Sequence, residues 1–297
     1  MTRRDFLGGF PATAVLAAMS PALLAACSRK KGYKLGVADW SLMLASNPAS
    51  FQAAKQIGLD GVQVSMPFDG TGKFFATPAQ LDAYKAAMKT TGLMCASTAS
   101  MLNSKPFVSS EGAVEYVCGT LDAAADLGAA DILVPFYGKA NLAGKDKRLR
   151  EDLFKELIPR LKEAAAHAEK KKVSICLENT LNAEDDLRII DAVGSEYVKV
   201  YFDIFNFQYY GFETVPEMLK LKGHIGQIHL KDKGHRLDSG SGMPRNMQYC
   251  FDAIEKIGYD GWLVFELHGH NPQKDGSIES VLRHNAEYVK KSSLFRG

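Results

Sequence analysis

The sequence predicts an α/β protein built as a single (β/α)8 TIM barrel, and three observations predict it. Eight short, strand-like apolar runs alternate with helix-like segments from Lys34 to the C-terminus, with no strand left over. A phrase recurs at the joints: Ile57-Gly58-Leu59-Asp60-Gly61-Val62 returns as Ile257-Gly258-Tyr259-Asp260-Gly261-Trp262, with Leu127-Gly128-Ala129-Ala130-Asp131-Ile132 as a looser relative. Each puts a glycine just past a helix and starts a strand a few residues later, the turn of a repeating unit. The structural rival, an open doubly wound sheet, normally shows a glycine-rich phosphate turn after its first strand, and Gly36-Val37-Ala38-Asp39-Trp40 is not one.

The first residues read as an address rather than as fold. Thr2-Arg3-Arg4-Asp5-Phe6-Leu7 precedes an Ala-rich apolar stretch from Phe10 to Ala26, the layout of a twin-arginine export signal. The stretch is too short and too weakly apolar for a comfortable membrane span. Leu24-Ala25-Ala26-Cys27 has the form of a bacterial lipoprotein box, whose cysteine becomes the first mature residue and carries lipid. The expected organisation is a signal over 1–26, a tether over 27–33 and the barrel over 34–297. The mature protein is then periplasmic, held to a bacterial membrane through lipid on Cys27.

The strand candidates are Lys34–Ser41, Gly61–Met66, Met94–Ala99, Asp131–Phe136, Val173–Glu178, Val198–Ile204, Ile225–Lys231 and Trp262–Leu267. Between them, Thr77-Pro78 supplies an N-cap followed by proline at the first helical position. Leu81, Tyr84 and Met88 then recur on one face. Val114, Val117, Leu121 and Ala124 do the same in the next helix, which Gly128 can end. Leu153, Leu157 and Leu161 mark a fourth helix that Pro159 should kink or shorten.

Composition narrows the function. A hydrophobic content of 46% and a charged content of 24% are those of a folded globular protein. A net charge of +2 argues against a dedicated nucleic-acid binder and is compatible with small neutral substrates. Cys95, Cys118, Cys176 and Cys250 are widely spaced, without a C-x-x-C pair, and read as buried apolar residues rather than zinc ligands or a disulfide framework. Self-association is left open.

Catalytic groups of a barrel sit at the C-terminal ends of its strands. The fifth candidate strand ends in Glu178-Asn179, the sixth in Phe202-Asp203, the seventh in His229-Leu230-Lys231-Asp232 and the eighth in Phe265-Glu266. Cys176, Tyr201, Gln227 and Val264, two residues earlier, face inward by the strand's period of two. A carboxylate closing an apolar strand is expensive unless it is paired or metal-bound. Three carboxylates and one imidazole on one rim suit a single divalent ion. Mn2+ is the first choice, with Mg2+, Co2+ and Zn2+ as the other candidates.

At this point the sequence resembles a family. Leu177-Glu178-Asn179, Phe202-Asp203, Ile228-His229-Leu230-Lys231-Asp232, Gly240-Ser241-Gly242 and the run from Ile257 to Glu266 are similar to the xylose-isomerase-like barrel superfamily, in its sugar phosphate isomerase/epimerase branch. The likeness is strongest from Val173 onward. It implies that Glu178, Asp203, His229 and Glu266 bind one metal, and that Glu178 and Glu266 double as the acid/base pair moving a proton through an enediolate. It also marks Glu184, six residues beyond Glu178, as a substrate contact, although a carboxylate there equally suits a helix N-terminus. Asn206, Lys231, His235, Trp40 and His268 complete the substrate-binding candidates. Phe68, Phe136, Tyr137 and Phe207 are, like Trp40, strand-end aromatics that can stack on a sugar or simply pack.

The pattern also departs from the branch. Ketohexose epimerases carry a His where Asn206 stands and an Arg where His235 stands, so their substrate does not transfer. The leading reading is a metal-dependent isomerase or epimerase acting on a non-phosphorylated sugar or keto-sugar. Its alternatives are a keto-glycoside lyase or hydrolase on the same site and a non-catalytic sugar-binding lipoprotein. A zinc endonuclease of the same fold needs histidines on early strands, and no His precedes His167.

Overall fold

A computed structural model describes residues 32–67, 77–102, 105–233, 235–240, 247–267, 274 and 276–296. The expected signal and lipid site, with Arg3, Arg4 and Cys27, lie outside them, as do Phe68 and His268. Tyr33, the last residue of the expected tether, is already buried, its ring 5.8 Å from that of Phe295.

Eight parallel strands close into a barrel in sequence order: β1 (Lys34–Ala38), β2 (Gly61–Ser65), β3 (Met94–Ala99), β4 (Asp131–Pro135), β5 (Ser174–Glu178), β6 (Val198–Asp203), β7 (Ile225–Leu230) and β8 (Trp262–Phe265). The long connecting helices are α1 (Ala49–Ile57), α2 (Pro78–Thr91), α3 (Ala113–Asp126), α4 (Glu151–Lys171), α5 (Ala183–Val193), α8 (Met247–Lys256) and α9 (Ile278–Lys290). Short helices α6 (Ile204–Tyr209) and α7 (Thr214–Lys220) follow β6, and α10 (Ser293–Arg296) ends the chain.

The recurring phrase is the joint it promised to be. Gly58, Gly128 and Gly258 all have positive φ, between 72 and 88°, where a side chain would be strained. Asp60 then accepts a hydrogen bond from Leu35 N at 2.8 Å, stitching the start of β2 to β1. A side chain at Gly61 would strike the Met94 carbonyl at 2.5 Å. Thr77 caps α2 by accepting from Gln80 N, and Val114, Val117, Leu121 and Ala124 turn inward on α3. Pro159 does not shorten α4, which runs through it for 21 residues, because Leu157, Leu161, Ala164, Ala165 and Ala168 bury one continuous face.

Several strands stop earlier than the apolar runs suggest. The largest correction is at β1, where Asp39–Leu42 coils into a 3-10 turn ending at Met43 with φ 58°. Ser65 N, Ser65 Oγ and Ser46 N all donate to Asp39 Oδ2 at 2.9–3.0 Å, which ties this turn to the end of β2. The turn carries Trp40 to the barrel mouth.

Register slips by one residue occur beside Val62/Gln63 and Val200/Tyr201. The second leaves Gly226 extra on β7, at a spot where any side chain would collide with Cys176 Sγ. Gln227 lies in the barrel interior. It accepts from Ser97 Oγ and Tyr201 OH, both at 2.9 Å, and donates to the Ala96 carbonyl at 2.6 Å. Cys95, Cys176 and Cys250 are buried, as expected, and Cys118 is half-buried; all four are free thiols.

Candidate metal centre and active site

The chain gathers Glu178, Asp203, His229 and Glu266 at the C-terminal mouth of the barrel. One ligand atom from each lies within 4.8 Å of the others. His229 Nδ1 is 3.1 Å from Glu178 Oε1, 3.6 Å from Glu266 Oε2 and 3.9 Å from Asp203 Oδ2. These separations fit inside twice the ~2.0–2.6 Å at which such groups bind divalent cations.

Each member is aimed by its neighbours. On its far side, His229 Nε2 donates to Gln63 Oε1 at 2.8 Å, which turns Nδ1 toward the carboxylates, 3.1 Å from Glu178 Oε1. Tyr201 packs on the imidazole at 4.3 Å between ring centroids. Asp203 divides its oxygens. Oδ1 caps α6, accepting from Phe205 N at 2.8 Å and Asn206 N at 2.9 Å, while the buried Oδ2 has no hydrogen-bond partner. Glu266 accepts from Trp40 Nε1 at 3.2 Å and from Lys231 Nζ at 2.8 Å, one on each oxygen. Leu267 N donates to Ser41 Oγ at 2.8 Å and fixes the backbone beyond it.

The electrostatics describe crowded negative charge. Burial opposes ionisation of Glu266, but Lys231 and His229 outweigh it and hold the carboxyl down at about 2. For Asp203, burial reinforced by Glu266 and Glu178 prevails over Lys231 and pushes the carboxyl up to about 7. Burial would depress the His229 imidazolium, yet Glu178, Glu266 and Asp203 raise it. Lys231 is raised in the same way, against its own desolvation, by Asp203 and Glu266. Three carboxylates gathered around one ammonium leave an excess of negative charge, which a divalent cation would offset. The Asp203 oxygen left without a hydrogen bond, His229 Nδ1 facing the carboxylates and an oxygen-rich donor set all fit such an ion.

Above the cluster lies a cavity of about 610 Å³, bounded by Glu178, Glu266 and Lys231 on the charged side. Trp40, Ala99, Ser100, Met101, Leu133 and Pro135 form a less polar wall, and Tyr137, Phe205, Asn206, Tyr209 and Tyr210 complete it. Among the described residues, Lys231 is the one cationic side chain in this lining.

The structure therefore brings Trp40, Asn206 and Lys231 to the cavity with the cluster, and leaves others elsewhere. Glu184 is corrected. It sits in the first turn of α5 with its side chain 73% exposed, 3.5 Å from Arg148, where the helix dipole and an arginine account for it. His235 is buried in the loop after β7 at φ 62°, its N–H bonded to the Asp232 carbonyl and its own carbonyl to Asn285, and is not among the lining residues. Of the strand-end aromatics, Trp40 and Tyr137 face the cavity, whereas Phe136 and Phe207 are core. Sequence reasoning missed Gln63, Phe205, Tyr209 and Tyr210. An amide inside the otherwise apolar β2 was the available signal for the first, and a ring-rich turn directly after a ligand for the rest.

Comparison with known proteins agrees with the barrel fold. A family model described as xylose isomerase-like TIM barrel matches residues 51–291. A 2-epi-5-epi-valiolone 7-phosphate 2-epimerase of Actinoplanes sp. is 25% identical over 202 residues, covering 67% of this chain and 72% of that protein. The solved structure of an L-ribulose 3-epimerase superposes with a TM-score of 0.70 at 19% identity, over 86% of this chain and 93% of that one. A 3-keto-D-glucoside 4-epimerase from Escherichia coli superposes with a TM-score of 0.67 at 17% identity, over 84% and 99%.

Proposed function

The chain belongs to the xylose isomerase-like TIM barrel family, and from that premise we propose that it is a divalent-metal-dependent isomerase or epimerase of a non-phosphorylated sugar or keto-sugar. The observation that carries the proposal is the convergence of Glu178, Asp203, His229 and Glu266 beneath a cavity large enough for a sugar. The substrate's lack of phosphate is supported by Lys231, the single lining cation among the described residues, being engaged by Glu266 and Asp203. Mn2+ is the ion proposed, from the hard oxygen-rich donor set with one imidazole.

When bound, the ion supplies Lewis-acid polarisation of adjacent hydroxyl and carbonyl oxygens of the substrate. The side chains supply the proton transfers. Glu266, held ionised and pointed by Trp40 and Lys231, takes the carbon-bound proton to give an enediolate. Glu178 returns a proton on the opposite face, which epimerises, or at the neighbouring carbon, which isomerises. The Lys231 ammonium stabilises oxyanion charge as it develops. Trp40 covers the cluster and limits access of water. A keto-glycoside lyase or hydrolase would begin with the same abstraction by Glu266 and diverge at the next bond.

Glu266→Gln tests the proposal, since it keeps volume and one ligand oxygen but deletes the base. Turnover should fall roughly 10²–10⁴-fold, about 3–5 kcal/mol of barrier, with melting temperature and bound metal largely kept. Near-normal exchange of the substrate's carbon-bound proton with D2O by the metal-loaded variant would exclude Glu266 as the base.

Export by the twin-arginine route and a lipid on Cys27 are proposed from the sequence alone. Mass spectrometry of membrane-extracted protein should find mature material beginning at lipidated Cys27. Unprocessed Met1 in the native host would overturn this.

A further inference from the structure

We infer that the cavity holds two linked sugar units, and that Phe205, Tyr209 and Tyr210 form the subsite for the second, so that the substrate is a disaccharide-like glycoside rather than a free monosaccharide. The inference rests on the sugar isomerase/epimerase reading of the metal centre and names its substrate class.

Size is the first argument. About 610 Å³ is the size of cavity that takes a drug-sized ligand, and it leaves room beside the twelve non-hydrogen atoms of one hexose. The second argument is where the surplus space leads. Tyr137, which lines the cavity beside Glu178, stacks on Tyr210 at 6.4 Å between centroids with the planes 20° apart. Tyr210 meets Tyr209 edge-on at 5.2 Å, and Tyr209 meets Phe205 at 5.8 Å. These four rings run without a break from the cluster to the rim, where Tyr209 is 70% exposed. A large aromatic left that wet at the lip of a cavity gains by receiving an apolar face.

Chemistry selects what the face belongs to. Three of the four rings are tyrosines, and Asn206 Nδ2 donates to Tyr137 OH at 3.0 Å, so flat apolar surfaces alternate with polar tips. A pyranose, with C–H faces and hydroxyl edges, complements that surface. A phosphate or nucleotide tail does not, because the described lining offers no second cation beside Lys231. The rings are also tied to the reacting end, since Asp203 Oδ1 caps the helix that carries Phe205 and Tyr209.

The test is calorimetric titration of the full-length protein in Mn2+ with glucose and galactose against cellobiose, maltose, lactose, sucrose and trehalose. At least one disaccharide should bind about tenfold more tightly than its monosaccharide, and Tyr209→Ala and Phe205→Ala should each cut that ratio severalfold, as expected for lost ring contacts. Tyr209 is exposed enough that its truncation leaves folding intact, which a melting curve checks. No preference for any disaccharide, or a preference that survives both substitutions, overturns the subsite. Because binding is read without turnover, the two readings separate. Disaccharide binding that depends on Tyr209 and Phe205, with no D2O exchange on any sugar, sinks the proposed reaction, whereas exchange without disaccharide preference sinks the subsite alone.

Discussion

Strands β5–β8 finish on Glu178, Asp203, His229 and, one residue past β8, Glu266, whereas β1–β4 finish on Ala38, Ser65, Ala99 and Pro135. One half of the mouth is therefore crowded with charge and the other is small and only weakly polar. On the proposed reading the oxygens of a sugar would be drawn to the first half, while Trp40, Ala99, Leu133 and Pro135 keep the facing side low in dielectric, where the charges opposite act more strongly. Two of the contacts that cross the divide reach the cluster itself. Gln63 reaches from β2 to His229, and Trp40 from the turn after β1 to Glu266.

Asp203→Asn attacks the charged half and should have the largest effect. An asparagine still caps α6 through its amide oxygen, so the helix survives, but its NH2 then faces the cluster and, unlike the glutamine of Glu266→Gln, it offers no ligand oxygen. Metal affinity should drop beyond the ~10–100-fold typical of changes outside the ligand shell. Retention of metal at the wild-type level would show that Oδ2 is not a ligand.

The quieter half has its own charge, Asp39, pushed up to about 6 by burial in spite of its hydrogen bonds from Ser65 and Ser46. Because its folded-state value lies above the ordinary 3.8, the unfolded chain ionises first as pH rises. Its contribution therefore favours folding below about pH 4, is lost between about pH 4 and 6, and is constant above that, by about 3 kcal/mol in all. Asp39→Asn should remove this component of the pH dependence of stability. Unfolding curves for variant and wild type that run parallel from pH 4 to 7 would contradict it.

The smallest effect is expected where the halves meet. Gln63→Leu deletes the acceptor of His229 Nε2–H and should weaken metal binding ~10–100-fold without touching a ligand. An unchanged affinity would mean that the imidazole is oriented by Tyr201 packing alone.

This division also explains what could be read from the chain. The cluster was legible because a charged residue closing an apolar strand has few inexpensive explanations, and the joints because glycines at positive φ recur with the phrase around them. Gln63 was not, since its meaning depends on a partner 166 residues away across the barrel. Phe205, Tyr209 and Tyr210 read locally as packing, and only closure of the barrel turns them toward the cavity. Glu184 stayed open between two readings because an offset in sequence cannot distinguish a helix start facing Arg148 from a loop facing the mouth. The overlong β1 had the same origin, since the apolar run continues through a turn held by Asp39 rather than by strand pairing.

Asp203 has a consequence for anyone who would re-engineer this enzyme. Its two oxygens answer to different structures, one to the amides of Phe205 and Asn206 and the other to the cluster. Exchanging it for any side chain that cannot cap would therefore also redraw the helix beside it. Metal preference and cavity shape are in this barrel a single design variable.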